Sequence, residues 1–429
     1  MGAGPGTGRT AAGGRRGRST AAGLLLLALV AGCGGGGSGT VAQGAPSDPG
    51  PSPEPTVAVS TTPAAAPARL AFAPRNGAED HPVRRPVTVT ASGGTLTAVT
   101  LRNGDGEPVQ GSLDAARTRW TSAEPLGYDR SYTVSAVAAN ADGRTTRGDS
   151  AFRTVTPRTF TLPYLFPGAG GPRTVGVGQP VSVRFDEPIE DKAAAERALT
   201  VTTTPRVDGA WHWFSDQLVH WRPRTYWTPG TRVTVTAAVY GVHVGDGVYG
   251  QRDVSSSFTI GPAKIATVDD RTKQMVVRVD GTVVRTIPVA LGKNQQVVVE
   301  DKKINYLTQS GPHVVAEKYP KKKMSSASYG VTDKKDPNYY EEDIELAVRI
   351  SPDGEFVHSA PWSVWAQGKQ NVSHGCVNIA PEHARWFYDH FSSGDVVDIR
   401  NTGRQLPFAA SYNEWGVSWA TWLAGSALR

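Results

Sequence analysis

Along most of this chain the large apolar residues alternate at a spacing of two, in runs too short and too often broken by Gly, Asn, Asp and Pro to build helices. Val87 and Val89 show the pattern, as do Tyr132, Val134, Ala136 and Ala138. Alternation puts every second side chain on one face of a strand, so these runs predict half-buried strands joined by tight turns. The 48 Gly and 31 Pro of the sequence suit such turns. Asp280-Gly281, between Met275-Val276-Val277-Arg278-Val279 and Thr282-Val283-Val284-Arg285-Thr286-Ile287, predicts a hairpin with a two-residue turn. Helical spacing comes late. Residues 381–391 place Ala384, Phe387, Tyr388 and Phe391 on one face behind Pro381, and Gly394-Asp395 ends them before Val396-Val397-Asp398-Ile399 resumes a strand. Trp415, Trp419 and Trp422, at i, i+4 and i+7, predict a small packed helical piece. The expected class is mainly β.

At 429 residues the chain exceeds one ordinary domain. Residues 69–156 read as a β-sandwich. Residues 157–262 repeat the plan, because Trp120 and Tyr132-Thr133-Val134 have counterparts in Trp221 and Val233-Thr234-Val235 at the same spacing. Two tandem immunoglobulin-like sandwiches are the simplest reading, without the cysteine pair of the antibody type. His212, His220 and His243 have no acid or second His at ligand spacing and are expected to be structural or surface residues, not metal ligands. Residues 263–400 form a third, β-rich domain holding the main helix, and residues 401–429 a C-terminal appendage carrying the tryptophans.

Residues 1–32 join an Arg-rich start, the run Leu24-Leu25-Leu26-Leu27-Ala28-Leu29-Val30 and the small pair Ala31-Gly32, which is the pattern of a signal peptide. The apolar run is too short to span a bilayer. Val30-Ala31-Gly32-Cys33 resembles the lipobox of bacterial lipoproteins, which implies cleavage before a lipidated Cys33 and residence on the outer face of the cytoplasmic membrane. A plain secretory signal with an incidental cysteine is the alternative. Residues 33–68 open with Gly34-Gly35-Gly36-Gly37-Ser38 and stay rich in Pro, Ala, Ser and Thr, as in a flexible tether able to reach into the wall. The formal charge of +6 falls to about +2 without the four leader arginines, which argues against nucleic acid as a partner. Lys321-Lys322-Lys323, beside Lys318, is expected to be a solvated loop, with a face toward anionic wall polymer or substrate carboxylates as the alternative.

The sequence holds two cysteines. With Cys33 consumed as a thioether, Cys376 is a free thiol in an exported protein, where a cysteine without a task tends to be paired or damaged. The third region resembles the catalytic domain of L,D-transpeptidases, the YkuD fold, in having His358, fourteen intervening residues and then Ser373-His374-Gly375-Cys376-Val377-Asn378. It is similar to actinobacterial, mycobacterial-type members through Phe356-Val357-His358-Ser359-Ala360-Pro361-Trp362-Ser363-Val364, Trp386-Phe387-Tyr388-Asp389-His390, Met324-Ser325-Ser326 and Tyr329-Gly330. Trp211-His212-Trp213 and Tyr226-Trp227 extend the likeness into the second sandwich. One departure is that the family's Thr-Pro-x-x-x-Gly segment after Leu291-Gly292-Lys293 is replaced by a longer, Lys-bearing stretch reaching Ser310-Gly311-Pro312.

The resemblance implies peptidoglycan chemistry. The Cys376 thiolate would attack the amide before the terminal D-Ala of a tetrapeptide stem, and a second stem's amine would resolve the thioester into a 3→3 cross-link. A cysteine with a pKa of about 8.5 is only a few per cent thiolate at neutral pH and needs a base. His358 is the expected base, its ring oriented by the Ser359 carbonyl, and the His374-Gly375-Cys376 turn is expected to aim backbone N–H groups at the oxyanion. Tyr340 is expected to assist near this site, Trp362 to line the pocket, Ser373 and Asn378 to support the turn, and Met324 and Tyr329 to belong to a lid over the donor. His313, His383 and His390 carry no expected role. No metal or other cofactor is expected, and carbapenem β-lactams are expected as covalent inhibitors. Water as acceptor would make the protein an L,D-carboxypeptidase and a protein lysine an anchoring transferase, and the sequence leaves both open. A non-catalytic wall-binding protein is the reading from another class. The sandwiches carry no recognisable nucleophile and are expected to act as a spacer and docking platform that the chemistry does not need, so that residues 263–429 alone would still acylate with a carbapenem.

Overall fold

The computed structural model describes residues 50, 64–299, 302–408 and 413–429, and only the backbone of Lys302 and Tyr329. The leader, Cys33 and nearly all of the 33–68 tether lie outside the described residues. Where the tether ends, Asn140 Nδ2 donates to the carbonyls of Ala65 and Ala66 at 2.9 and 3.1 Å, which ties it to the first sandwich.

The first sandwich packs a sheet ordered Arg69–Ala73, Thr88–Ser92, Arg119–Ser122, Gly111–Leu113 on one ordered Ala78–His81, Thr145–Thr154, Ser131–Ala139, Thr95–Asn103, Pro108–Val109. Tyr132, Val134, Ala136 and Ala138 all point into its core, as their alternation predicts. The second sandwich pairs Pro163–Phe166, Val181–Phe185, Leu218–Pro223, Gly209–Trp213 with Thr174–Val175, Val254–Ile260, Arg232–Ala237, Leu199–Thr204. The internal repeat has a physical basis. In each sandwich a buried tryptophan lies across a glycine of the paired strand, where a Cβ would sit 2.0 Å from the Trp120 ring at Gly111 and 2.1 Å from the Trp221 ring at Gly209. The joint between the sandwiches is aromatic: Tyr128 lies 5.0 Å from Tyr240 between ring centres, and its hydroxyl donates to the Gly250 carbonyl at 2.8 Å.

The third domain has a five-stranded sheet ordered Thr282–Pro288, Gln274–Val279, Lys264–Asp269, Val396–Arg400, Gly311–Val314. A four-stranded sheet ordered Lys318–Ser325, Glu341–Arg349, Phe356–Ser359, Val377–Ile379 stands beside it. Asp280 and Gly281 both take positive φ, +48° and +84°, as the two-residue turn between twisted strands requires. The helix Pro381–His390 buries Ala384 and Phe387 in the core the two sheets share, with Val268, Val277, Val348 and Val357. The lysine run is not a loop. It lies within the strand Lys318–Ser325, whose neighbour presents acids on the same face, so Lys321 pairs with Asp343 at 3.0 Å and Lys323 with Glu341.

The second sandwich and the third domain share a core. The Gly176 and Gly178 N–H groups donate to Ser393 and Gly394 at 2.9 and 2.8 Å, and Val396 is buried among the sandwich valines. The C-terminal segment then returns to the sandwich as a 3-10 turn, Glu414–Gly416, and a five-residue helix, Trp419–Leu423, not as one helix. The Arg222 guanidinium lies 4.9, 5.3 and 4.5 Å from the ring centres of Trp415, Trp419 and Trp422. His220, for which the sequence offered no nearby acid, meets buried Glu414 at 2.7 Å, a partner 194 residues away.

Candidate active site

Phe356–Ser359 and Val377–Ile379 run parallel, with His358 opposite Asn378. Cys376 directly precedes the second strand, two residues from Asn378, so the thiol, the amide and the imidazole emerge on one side of the pair. All three line one cavity of about 240 Å³, together with Trp362, Trp365 and Glu342. Cys376 also lines a second, larger cavity of about 510 Å³, which His358 does not reach. Met324, Tyr340 and His374 border both cavities.

The turn before Cys376 is held from within and from behind. Gly375 has φ +134°, a conformation that side-chain-bearing residues rarely adopt. Ser373 Oγ donates to the Cys376 carbonyl at 2.6 Å and accepts the Gly375 N–H at 3.2 Å. The Gly375 N–H is thereby occupied, so one of the donors expected to face the oxyanion instead braces the turn. The Gly375 carbonyl accepts from Thr308 Oγ1 at 2.8 Å, and Thr308 Oγ1 in turn accepts from Gly292 N–H at 2.8 Å. Leu291 receives the Val372 and Ser373 N–H groups at 3.0 Å each.

The His358 ring is buried. Its Nδ1 donates to the Ser359 carbonyl at 2.9 Å, which leaves Nε2 as the acceptor. Asn378 Nδ2 donates to Ser363 Oγ at 3.0 Å, and the Asn378 side chain beside the ring, like the Ser359 carbonyl, favours the protonated imidazole. Burial dominates nonetheless and pulls His358 down to about 4. Burial likewise pushes the half-buried Cys376 thiol up to about 12, aided by the charges of Glu355 and Glu342 and opposed by a backbone hydrogen bond from Phe356. Both shifts disfavour charge, so the resting pair is thiol and neutral imidazole.

His374 serves a different purpose. Its ring is stacked on Tyr340 at 4.7 Å and met edge-on by Tyr306 at 4.7 Å, and burial lowers it to about 4. The Trp362 ring, half exposed, lies 6.1 Å from His358. The backbone of Tyr329 closes the 3-10 turn Ser326–Tyr329 that follows the Met324 strand.

Two families match the chain: the bacterial Ig domain over residues 78–243 and the L,D-transpeptidase catalytic domain, YkuD, over residues 263–399. The chain is 44% identical over 360 residues to L,D-transpeptidase 2 of Mycobacterium tuberculosis (strain CDC 1551 / Oshkosh), covering 84% of this chain and 85% of that protein. The chain belongs to the L,D-transpeptidase family. It is also 39% identical over 371 residues to L,D-transpeptidase 5 of M. tuberculosis H37Rv, covering 85% and 78% of the two chains. A solved L,D-transpeptidase from Mycobacterium smegmatis is 32% identical and covers 56% of this chain and 99% of its own, with a TM-score of 0.45. The protein is an enzyme of peptidoglycan cross-linking.

Several residues of this L,D-transpeptidase site gave no signal in the sequence. Thr308 and Gln309 are buried behind the turn, and Glu355 accepts the Gln309 N–H at 2.9 Å and meets His313 Nε2 at 3.2 Å. His313, expected to be without a role, lines neither cavity and touches the site only through Glu355. The stretch that departs from the family pattern folds as a hairpin, Gln296–Val299 with Lys302–Asn305, and places Lys303, Ile304 and Asn305 on the larger cavity. Only the Leu291-Gly292-Lys293 departure marked it in advance.

Proposed function

We propose that Cys376 is the nucleophile of a two-step acyl transfer. Its Sγ attacks the amide carbonyl before the terminal D-Ala of a tetrapeptide stem, and the thiol proton passes to His358 Nε2. The imidazolium formed is stabilised by the Ser359 carbonyl and the Asn378 side chain, and it returns the proton to the leaving D-Ala amine. The oxyanion is met by the backbone N–H of Cys376. The side-chain amine of a second stem then attacks the thioester and gives its proton to His358; the C–S bond breaks, the Cys376 thiolate leaves and takes that proton back, and a 3→3 cross-link is released. The observation that carries this reading is a half-buried free thiol, where two cavities meet, beside an imidazole whose tautomer is fixed.

Because rest is neutral at both groups, the thiolate forms during attack and not before it. A carbapenem, which offers a strained amide to the same thiol, should acylate Cys376 with the mass of one intact drug. Intact-mass spectrometry tests this: Cys376→Ala should show no adduct at any time, and an adduct there would place the nucleophile elsewhere. Mass spectrometry of muropeptides made by the purified protein separates cross-linking from transfer to water or to a protein lysine. We further propose that the mature chain starts at a lipidated Cys33 on the outer face of the cytoplasmic membrane. An unmodified Cys33 thiol in membrane-extracted protein would refute that.

A further inference from the structure

The second sandwich is open along one side. Its strand Pro163–Phe166 is the outermost of one sheet, and in the other sheet Val254–Ile260 is covered on its far side only at Thr259 and Ile260, by Thr174–Val175. Between these two free edges lies a cavity of about 200 Å³, whose lining includes Tyr164, Leu165, Arg252, Ser255 and Ser256 and shares no residue with the cavities at Cys376. Three of its groups have no work within the protein. Tyr164 is 57% exposed, and neither its hydroxyl nor the Arg252 guanidinium has a hydrogen-bond or ion-pair partner among the described residues. Ser256 is 6% exposed, and its buried Oγ likewise has no partner among them. A hydroxyl buried with nothing to bond is costly, and a serine in the wall of an open groove needs only a turn about χ1 to meet an entering ligand.

Ser255 carries the groove onto the outer face of its sheet. There Thr200, Thr236 and Ser255 stand in one row across three strands, and Thr202, Thr234 and Ser257 in the next, without a charged side chain in either row. Thr234 Oγ1 and Ser257 Oγ are 2.8 Å apart, and Thr236 Oγ1 and Ser255 Oγ 3.2 Å. A strand face that is merely solvated keeps its charges, as Arg147, Asp149 and Arg153 show on the Thr145–Thr154 strand of the first sandwich. The groove itself holds no acid and a single cation, Arg252. Protein partners bind through large aromatic, Met or Arg anchors in apolar surroundings, and two rows of small hydroxyls offer none. They suit an uncharged polyol instead. Its hydroxyls exchange hydrogen bonds with Ser and Thr, its C–H face lies on an exposed Tyr ring, and neighbouring hydroxyls match the fork of a guanidinium.

We propose that this groove and the hydroxyl face beside it bind a neutral glycan, the N-acetylhexosamine strand of peptidoglycan, with Tyr164, Arg252 and Ser256 as anchors. Holding the strand that carries the stems raises the effective concentration of stems at the catalytic domain without any contact to the reacting atoms. The test sediments the full chain with insoluble peptidoglycan whose stems an amidase has removed, so that nothing in the pellet is a substrate for Cys376. The chain should sediment, and soluble oligomers of N-acetylglucosamine should compete. Tyr164→Ala and Arg252→Ala should each weaken binding about tenfold. Ser256→Ala should weaken it as well while leaving the thermal midpoint unchanged or higher, because no hydrogen bond within the protein is lost; a serine with a structural part alone would move stability and not binding. In all three variants D-Ala release from a soluble tetrapeptide and acylation by a carbapenem should stay within about twofold of the unaltered protein. Failure to bind the stem-free glycan, or equal binding by the three variants, would overturn the inference. So would displacement by a soluble stem peptide but not by the sugar oligomers, which would put a peptide in the groove. The acyl transfer stands or falls separately, on the soluble stems.

Discussion

The neutral resting pair makes Cys376 a guarded residue. With the thiol pushed up to about 12, its alkylation by iodoacetamide at pH 7.5 should be at least about a hundredfold slower than that of a free cysteine, with no plateau below pH 10. Fast alkylation saturating near neutrality would show a preformed thiolate. His358→Ala should reduce carbapenem acylation by about a thousandfold or more, and raising the pH should recover part of the rate. With His358 lowered to about 4, the acid limb of acylation should fall near pH 4 and not near 6.5. The same shift links to stability. Between the unfolded value of 6.5 and the folded value of about 4 the unfolded chain holds a proton that the folded chain lacks. The contribution of His358 to stability is therefore fully present above pH 6.5 and falls by about 3 kcal/mol as the pH drops to 4, read as the difference in denaturant titrations between the unaltered protein and His358→Gln across that range. The thiol, the imidazole and the turn were legible in the sequence because they lie in one short stretch whose residue types state their chemistry. Thr308, Gln309 and Glu355 were not, because each reaches the site through a tertiary contact and none has a residue type that singles it out.

At the scale of single elements, the alternating strands, the helix behind Pro381 and the Asp280-Gly281 turn follow from local rules that the rest of the fold reinforces. That turn is remote from the chemistry. Gly281→Ala, at φ +84°, should lower stability by about 1 kcal/mol in denaturant titration while leaving the acylation rate unchanged. The lysine run shows where local rules stop. A block of like charge reads as solvated loop until the acids Glu341 and Asp343 of the neighbouring strand are known, and register is a tertiary fact. The three tryptophans have helical spacing but form a turn and a short helix, because their rings are arranged around Arg222 and not along one helix face.

At the scale of the whole molecule, the two sandwiches are not equivalent spacers. The first meets the second through Tyr128 and its neighbours, whereas the second shares Val396 and the tryptophan segment with the catalytic domain. A chain of residues 157–429 should therefore fold and acylate with a carbapenem at close to the full-length rate. A chain of residues 263–429 should be strongly destabilised, since it uncovers Val396 and Trp422. Trp422→Ala in the full chain should cost about 3 to 5 kcal/mol of stability by denaturant titration, and a loss under 1 kcal/mol would deny the segment its structural part. None of this joining was legible beforehand, because its contacts cross most of the sequence.

The His212 contact to the Trp422 carbonyl spans 210 residues and the Trp415 contact to Gly178 spans 237. During synthesis the first sandwich can close as soon as its own strands have emerged. The second is next to emerge yet among the last to be finished, since the face around Arg222 and His212 waits for residues beyond 413 to arrive. Loop closure over such separations is slow, and the waiting surface is aromatic. The order of emergence and the order of completion thus diverge, and the nascent chain spends that interval exposed to mispairing and to whatever chaperones its compartment provides.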